Sequence, residues 1–347
     1  MGNKGIRATT IIISTSAIER RRFILFINAN LTANNIASKP FVNYLVAPAT
    51  MKHYIKLLRP KHWAKNLFLF LPLFFAGKFF EPDKILLLTG GFFAFSFLAS
   101  SIYIINDYRD IEDDKKHPEK RNRPLAAGLV NKTASIILSV LLTISGLLLA
   151  FLVDQSGKFL FITSIYYVLN MMYSFGLKNI SIIDILILAS GFVLRVKGGA
   201  ELAGVNTTEW FLIMTFLLAL FMALAKRRDD VMLKLSTGAE MRKSMKGYSL
   251  EFLNTLLALF SAILIVSYIN FTVTPAAHQK YGFRLFYTAL FVIAALMRYL
   301  QITFIHNKAG SPTDVLYKDR FIQVTLVLWA TSFFVILYLR DLTFFKK

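Results

Sequence analysis

Cysteine is absent from the 347 residues, which excludes disulfides, thiolate catalysis and cysteine-based metal sites. Acids are scarce: 20 Asp and Glu stand against 40 Lys and Arg, a formal net charge of +20. The five histidines are scattered, and none is paired at metal-ligand spacing. There is no GxxxxGK[ST] phosphate loop, and no Ser–His–Asp arrangement can be built from the loops. Charge of either sign is thin, at 17% of residues, where a soluble globule carries about a quarter. What fills the chain instead is apolar: 56% hydrophobic residues and a mean hydropathy of +0.54.

The apolar residues form continuous runs of roughly 17 to 23, the length an α-helix needs to cross a bilayer core. Such runs lie near 64–80, 84–105, 132–153, 156–175, 180–200, 209–226, 251–272, 283–301 and 320–340. They do not alternate, which argues against a membrane β-barrel. The expected fold is an all-α integral membrane protein. It has about nine transmembrane helices around a central cavity that opens to the cytoplasmic side.

The loops assign the sides. Lys52, Lys56, Arg59, Lys61 and Lys65 precede the first run. Arg109, Lys115, Lys116, Lys120, Arg121, Arg123 and Lys132 follow the second. KRRDDVMLK, Arg242, Lys243 and Lys246 follow the sixth. An even number of runs separates these groups, so one topology places all of them in the cytoplasm. Lys178, Lys308, Lys318 and Arg320 fall on the same side, and the terminal FFKK falls outside, against the rule. On a soluble protein the basic excess would suggest nucleic acid. Here basic loops facing anionic membrane lipids explain it, and no nucleic-acid partner is expected. Residues 1–50 have mixed polarity and no signal-peptide pattern. They are expected to be a loosely ordered extension, or untranslated if Met51 is the start, with the transmembrane domain spanning 51–347.

The densest chemistry is NDYRDIEDDKKHPEKRNRP, residues 106–124, which follows an apolar run without a single charge. Asp107, Asp110 and Asp114 are spaced i, i+3 and i+7, within about 60° of one helix face. Three carboxylates on one face repel unless a cation sits among them, and oxygen ligands with room for water and phosphate suit Mg²⁺. Asn106 can orient a carboxylate or touch substrate. Lys120, Arg121 and Arg123 follow as donors for phosphate oxygens. An acidic face with a basic cluster behind it suits a diphosphate. A solvated, charged loop is the plain alternative, but the acids begin where the span ends, where ionisable groups tend to line a polar cavity.

Four other stretches stand out. In KRRDDVMLK, Lys226 has Asp229 at i+3 and Asp230 at i+4, either a helix-end ion pair or a second half-site across a cavity. RPKHWAKN holds Arg59, Lys61, Lys65 and Asn66, with Trp63 as an interfacial anchor. Asp184 lies about a turn inside the fifth run. Arg195 follows 11 residues later on nearly the same face, either functional or snorkelling to the far interface. SPTDVLYKDR, residues 311–320, precedes the last run.

The segment SSIYIINDYRDIEDDKKHPEKRNRPLAAG resembles the first aspartate-rich motif of the UbiA-type polyprenyltransferase superfamily, NDxxDxxxD followed by a KRxRP-like segment. Asn106, Asp107, Asp110, Asp114, Lys120, Arg121, Arg123 and Pro124 match position by position, and the resemblance covers residues 51 to about 340. Members that prenylate aromatic rings carry DxxxD after the sixth helix, and this chain has KRRDD instead. It is more similar to the decaprenyl-phosphate phosphoribosyltransferase branch, through RPxxWxKN at Arg59–Asn66, Lys226 and Arg227 with Asp229 and Asp230, and PTDVLYKDRFIQ, whose Leu-to-Asp spacing is shifted.

The resemblance implies phosphoribosyl pyrophosphate as donor, a polyprenyl phosphate as acceptor and Mg²⁺ as cofactor. It implies a metal held by Asp107, Asp110 and Asp114. Asp107, Asp110, Lys120 and Arg121 would act on the leaving pyrophosphate. Arg59, Lys61, Lys65, Asn66, Asn106, Arg123, Asp184, Lys226, Arg227 and Asp230 would bind substrate. Lys226 and Arg227 would take the 5-phosphate, in competition with Arg59, Lys61 and Lys65. A bacterial inner membrane, with the site facing the cytoplasm, follows from the same resemblance. Prenyl transfer from an isoprenyl diphosphate to an aromatic acceptor is the alternative reaction, and a transporter or lipid-binding scaffold is the alternative class.

Overall fold

A computed structural model describes residues 51–117, 120–237, 243–305, 315 and 318–339. The expected extension at 1–50, Arg242, Lys308, most of SPTDVLYKDR and the terminal FFKK lie outside the described residues. Among the described residues every regular element is helical. In chain order these are α1 (Met51–Leu58), a 3-10 segment (Pro60–Phe70) running into α2 (Leu71–Phe75), α3 (Pro82–Arg109), α4 (Ile111–Lys116), α5 (Lys132–Val153) and α6 (Lys158–Phe175). They continue with α7 (Ile183–Ala203), α8 (Glu209–Thr237), α9 (Leu250–Thr272), α10 (Pro275–Tyr281), α11 (Ala289–Phe304), which is preceded by a 3-10 turn (Phe283–Thr288), and α12 (Arg320–Tyr338).

Six of these segments are long and apolar enough to cross a membrane: Pro82–Arg109, Lys132–Val153, Glu209–Ser236, Leu250–Thr272, Phe283–Phe304 and Arg320–Tyr338. The runs at 156–175 and 180–200 are also helical, as α6 and α7. The run at 283–301 begins as a 3-10 turn, and the run at 64–80 departs furthest from a continuous α-helix. Pro72 supplies no N–H to an α-helical ladder, and the chain turns at Gly77, whose φ is +78°. The α-helical part is therefore only Leu71–Phe75.

Polar side chains and small residues join the helices. Ser101 Oγ lies 2.9 Å from Ser139 Oγ and 2.6 Å from Thr143 Oγ1, which ties α3 to α5. A Cβ on Gly146 of α5 would come within 2.8 Å of Leu98, so the missing side chain lets the two helices approach. The 3-10 segment docks on α7 even more closely: a Cβ on Gly199 would lie 2.0 Å from the Leu69 carbonyl oxygen. One core gathers Leu69, Phe95, Phe159 and Leu202; another gathers Phe221, Leu224, Leu253 and Tyr299. Outward faces carry exposed Ile137, Leu141, Ile144 and Leu148 on α5 and Val324 and Val327 on α12. In water such a belt would promote association; against lipid it is the expected surface.

The helix termini set up the polar end. Asn131 caps α5 through Ala134 N, and Ser249 caps α9 through Phe252 N. Helix α8 continues past its apolar stretch to Thr237, so KRRDD lies on helix rather than in a loop. The C-terminus of α3, the link after α6, the N-terminus of α7 and this part of α8 meet at one end of the bundle. The contacts described next join them.

Candidate active site

Helix α3 ends at Arg109, and Asp110 is its C-cap, with φ −93° and ψ 9°. Asp114 belongs to the next short helix, so the three aspartates do not share one uninterrupted helix, as their spacing predicted. Asp107 is 2% exposed and Asp114 3%. Buried carboxylates need partners, and each has a base. Arg59 NH2 donates to Asp107 Oδ1 at 2.5 Å, and Arg123 NH1 donates to the same oxygen at 3.0 Å and to Asp114 Oδ2 at 2.8 Å. Lys178 Nζ donates to Asp110 Oδ1 at 2.5 Å and to Asn106 Oδ1 at 3.0 Å, while Asn106 Nδ2 donates to Asp110 Oδ2 at 3.2 Å. Burial raises the pKa of Asp114, with Arg123 opposing and Asp107 and Asp110 adding to the rise.

Among the described residues no three His, Cys, Asp or Glu come together as a metal-holding group. The expected ligand triad is thus not assembled here: Arg123 bridges Asp107 and Asp114, and Lys178 holds Asp110. Asp107 Oδ2 accepts no hydrogen bond from the described residues.

Arg59 reaches Asp107 from a left-handed backbone conformation, φ +54° and ψ +57°. Such strain in a non-glycine residue costs free energy and persists where the surroundings impose it. Its guanidinium lies 5.0 Å from the Tyr103 ring, and His62 packs edge-on against the same ring. His62 is exposed on one side. Burial on the other side, then Lys65, Arg59, Lys226 and Arg123, lower its pKa to about 4. Those four cations come from the 3-10 segment and the residue before it, from α8 and from the loop after Asn122, so both basic stretches of the sequence bear on one space.

The second cluster differs in detail from its expected pairing. Asp230 accepts from Arg227 NH1 at 2.8 Å rather than from Lys226, and Arg227 Nε donates to Asp184 Oδ2 at 2.8 Å. Asp184 is fully buried and also accepts from Tyr248 OH at 2.6 Å and from Ile185 N at 2.9 Å. Burial and the hydrogen bond to Asp184 raise the Tyr248 pKa, so the phenol stays a donor. Asp184 is thus joined to the α8 cluster, while Arg195, on its own helix, is not its partner. Arg195 Nε donates instead to Asn66 Oδ1 at 2.7 Å, and Asn66 donates to Ser96 Oγ at 2.9 Å. Lys61 and Arg121 are exposed, and Lys120 lies on a short 3-10 turn at the mouth.

Lys178 joins the site although the sequence does not distinguish it from the other cytoplasmic bases. Its signal is weak: one lysine in the tight turn after Gly176. Below the polar end, between α2, α8, α9, α11 and α12, lies an apolar cavity of about 400 Å³. Phe68, Phe75, Phe211, Tyr268 and Trp329 are among its walls.

Buried acids bridged by bases thus lie at one end of a helical bundle, above an apolar chamber. The chain belongs to the UbiA prenyltransferase family, whose model matches residues 67–325. It is a transferase similar to two proteins named decaprenyl-phosphate phosphoribosyltransferase. The one from Corynebacterium glutamicum is 32% identical over 289 residues, 82% of this chain and 86% of the relative. The one from Mycolicibacterium smegmatis is 32% identical over 288 residues, 79% and 89% of the two chains. The fold matches a UbiA homologue from Archaeoglobus fulgidus bound to GPP and Mg²⁺, with a TM-score of 0.59, 18% identity, and coverage of 82% of this chain and 99% of the other.

Proposed function

We propose that the protein transfers phosphoribose from phosphoribosyl pyrophosphate to a polyprenyl phosphate. The bond from ribose C1 to the pyrophosphate oxygen breaks, a bond from C1 to an oxygen of the lipid phosphate forms, and pyrophosphate leaves. The observation that carries this reading is the mouth itself, where Arg59, Arg123 and Lys178 converge on Asp107 and Asp110. Those three bases are donors already placed for phosphate oxygens. The names of the two relatives support the choice of donor and acceptor.

The residues fit Mg²⁺ in a reduced form. That ion is commonly held by one or two carboxylates together with substrate phosphates, and Asp107, with Oδ2 open, and Asp110 meet that need. Asp114, tied to Arg123, fits less well. A bound Mg²⁺ would neutralise charge on the leaving pyrophosphate. Arg59 and Arg123 bind its remaining oxygens once released from Asp107, and Lys178 with Asn106 holds Asp110 in orientation. Charge develops on the leaving group as the C1 bond lengthens, where fixed cations lower the barrier. Lys120 and Arg121 serve the same anion from the mouth. Lys226 remains the candidate for the 5-phosphate; Arg227, between Asp184 and Asp230, is better suited to shaping the wall than to binding a dianion.

Counting the run at 64–80, α6 and α7 alongside the six long apolar segments gives nine crossings. With the basic loops inside, the mouth would open on the cytoplasmic side of a bacterial inner membrane.

The test is a transfer assay on detergent-purified protein with Mg²⁺. Ribose-labelled donor plus polyprenyl phosphate is compared with an isoprenyl diphosphate plus an aromatic acid. Label entering the lipid fraction, and stopping with EDTA, supports the proposal. Prenylation of the acid, with no transfer from the ribose donor, overturns it.

A further inference from the structure

Arg195 lies about 16 Å along α7 from Asp184 and is 5% exposed. A guanidinium keeps its proton, so this is a fixed positive charge among apolar helices. Its Nε donates to Asn66 Oδ1, its NH1 to Gly191 O at 2.8 Å and its NH2 to Tyr166 OH at 2.9 Å. All three acceptors are neutral. Three of five N–H groups are thus used, and among the described residues no carboxylate pairs with Arg195. The aspartates Asp107, Asp110, Asp114 and Asp184, by contrast, each have a base.

Lys65 is a second cation of the same kind. It sits one residue before Asn66, half-buried, and makes no hydrogen bond or ion pair among the described residues. Asn66 links the two: it follows Lys65 in the chain and its Oδ1 accepts from Arg195 Nε. Two like charges inside a bundle, without an acid, are costly. An anion brought from outside would offset both.

The surroundings select the anion. Hydrogen bonding to Gly191, four residues earlier, folds the Arg195 side chain back toward the polar end. The Phe192 ring lies 5.6 Å from the guanidinium carbon and packs edge-on against Phe68 at 4.9 Å. Phe68 is also a wall of the apolar cavity. Through Phe192 and Phe68 an anion held here would border on a hydrocarbon chamber, while the groups suited to a hydrophilic diphosphate lie at the mouth. We infer that Lys65 and Arg195 clamp the monophosphate headgroup of an isoprenoid lipid acceptor, with the start of its chain in the cavity beyond Phe68. This rests on the phosphoribosyl-transfer reading. Arg59, which touches Asp107 and neighbours Lys65, stands between the donor and acceptor subsites.

The test needs no turnover at first. Thermal unfolding of the purified chain is followed with polyprenyl monophosphate, with the uncharged polyprenol of the same length, and with inorganic phosphate. Wild type is expected to respond to the monophosphate at concentrations at least about tenfold below those needed for polyprenol, and not to inorganic phosphate. Lys65→Met is expected to abolish that preference and to raise KM for the lipid about tenfold, with KM for the ribose donor within about twofold of wild type. Lys65→Arg is expected to retain the preference. Arg195→Gln should act in the same direction. Because it also removes three buried hydrogen bonds, Lys65→Met, which removes none, decides the matter if the Arg195 variant does not fold. An unchanged preference in Lys65→Met, a KM rise on the donor instead of the lipid, or equal protection by inorganic phosphate would overturn the clamp. A wild type that takes no label from the ribose donor but keeps a Lys65-dependent preference would sink the transfer reading and leave the clamp standing.

Discussion

Lys178 carries the least conspicuous part of the site. It is 7% exposed and is an ion-pair partner of Asp110. Removing one partner of a buried pair leaves the other uncompensated, at a cost of about 3 kcal/mol. Lys178→Met should therefore lower the unfolding temperature and also activity, because Asp110 loses its orientation. Thermal shift and transfer assays on the same preparation check both. His62 gives a pH signature. Its folded pKa of about 4 lies below the ordinary value of 6.5, so the unfolded chain takes up the proton first as pH falls. The stability it contributes is whole above pH 6.5 and is lost as pH falls through about 4. His62→Gln should flatten that acid limb of the unfolding temperature, and an unaltered limb would contradict the assignment. Asp107, Asp110, Asp114, Arg59 and Arg123 were legible because acids and bases cluster at the end of an apolar run. Lys178 was not, since its role depends on a fold contact across 68 positions.

At the level of elements, the apolar runs predicted α3, α5, α9, α12 and the start of α8 closely, because length and apolarity alone define such helices, whereas the charged last turns of α8 lie beyond its run. Two features were hidden. The break at Asp110 falls in YRDIEDDKK, with no Gly or Pro to mark it. The 3-10 path of the first run depends on its docking to α7, which no local pattern encodes. Gly199 is where that docking is tightest. Gly199→Ala should force the Leu69 backbone away and cost about 3 kcal/mol, the upper end of overpacking. Gly90→Ala would meet only the Val153 side chain and should cost less. Unfolding temperatures of the two variants check this, and equal values would contradict the close approach. The pairing of Asp184 with Arg227 was likewise out of reach, since helical spacing within α8 offered Lys226 and Asp230 as the simpler pair.

For the molecule as a whole, the absence of cysteine makes sidedness measurable without background labelling. Single cysteines at Asn122 and Asn206 should label from opposite faces with a membrane-impermeant maleimide. Asn122 should react in inverted vesicles and Asn206 in intact cells. Labelling of both from one face would contradict the proposed topology. The membrane class was legible from composition, and the polar end from motif order. The apolar chamber was not, because Phe68, Phe211, Tyr268 and Trp329 come from four distant segments that only the fold assembles.

The proposed chemistry breaks the C1 bond to pyrophosphate at the Asp107–Asp110 mouth and passes the ribose to a lipid phosphate. A double-label experiment tests it most directly, with one label in the ribose of the donor and another in its terminal pyrophosphate phosphorus. The ribose label is expected to move into the lipid fraction while the phosphorus label appears as aqueous pyrophosphate in equal amount, and Asp107→Asn is expected to lower both about a hundredfold or more. Both labels entering the lipid together, or an Asp107→Asn variant as active as wild type, would contradict it.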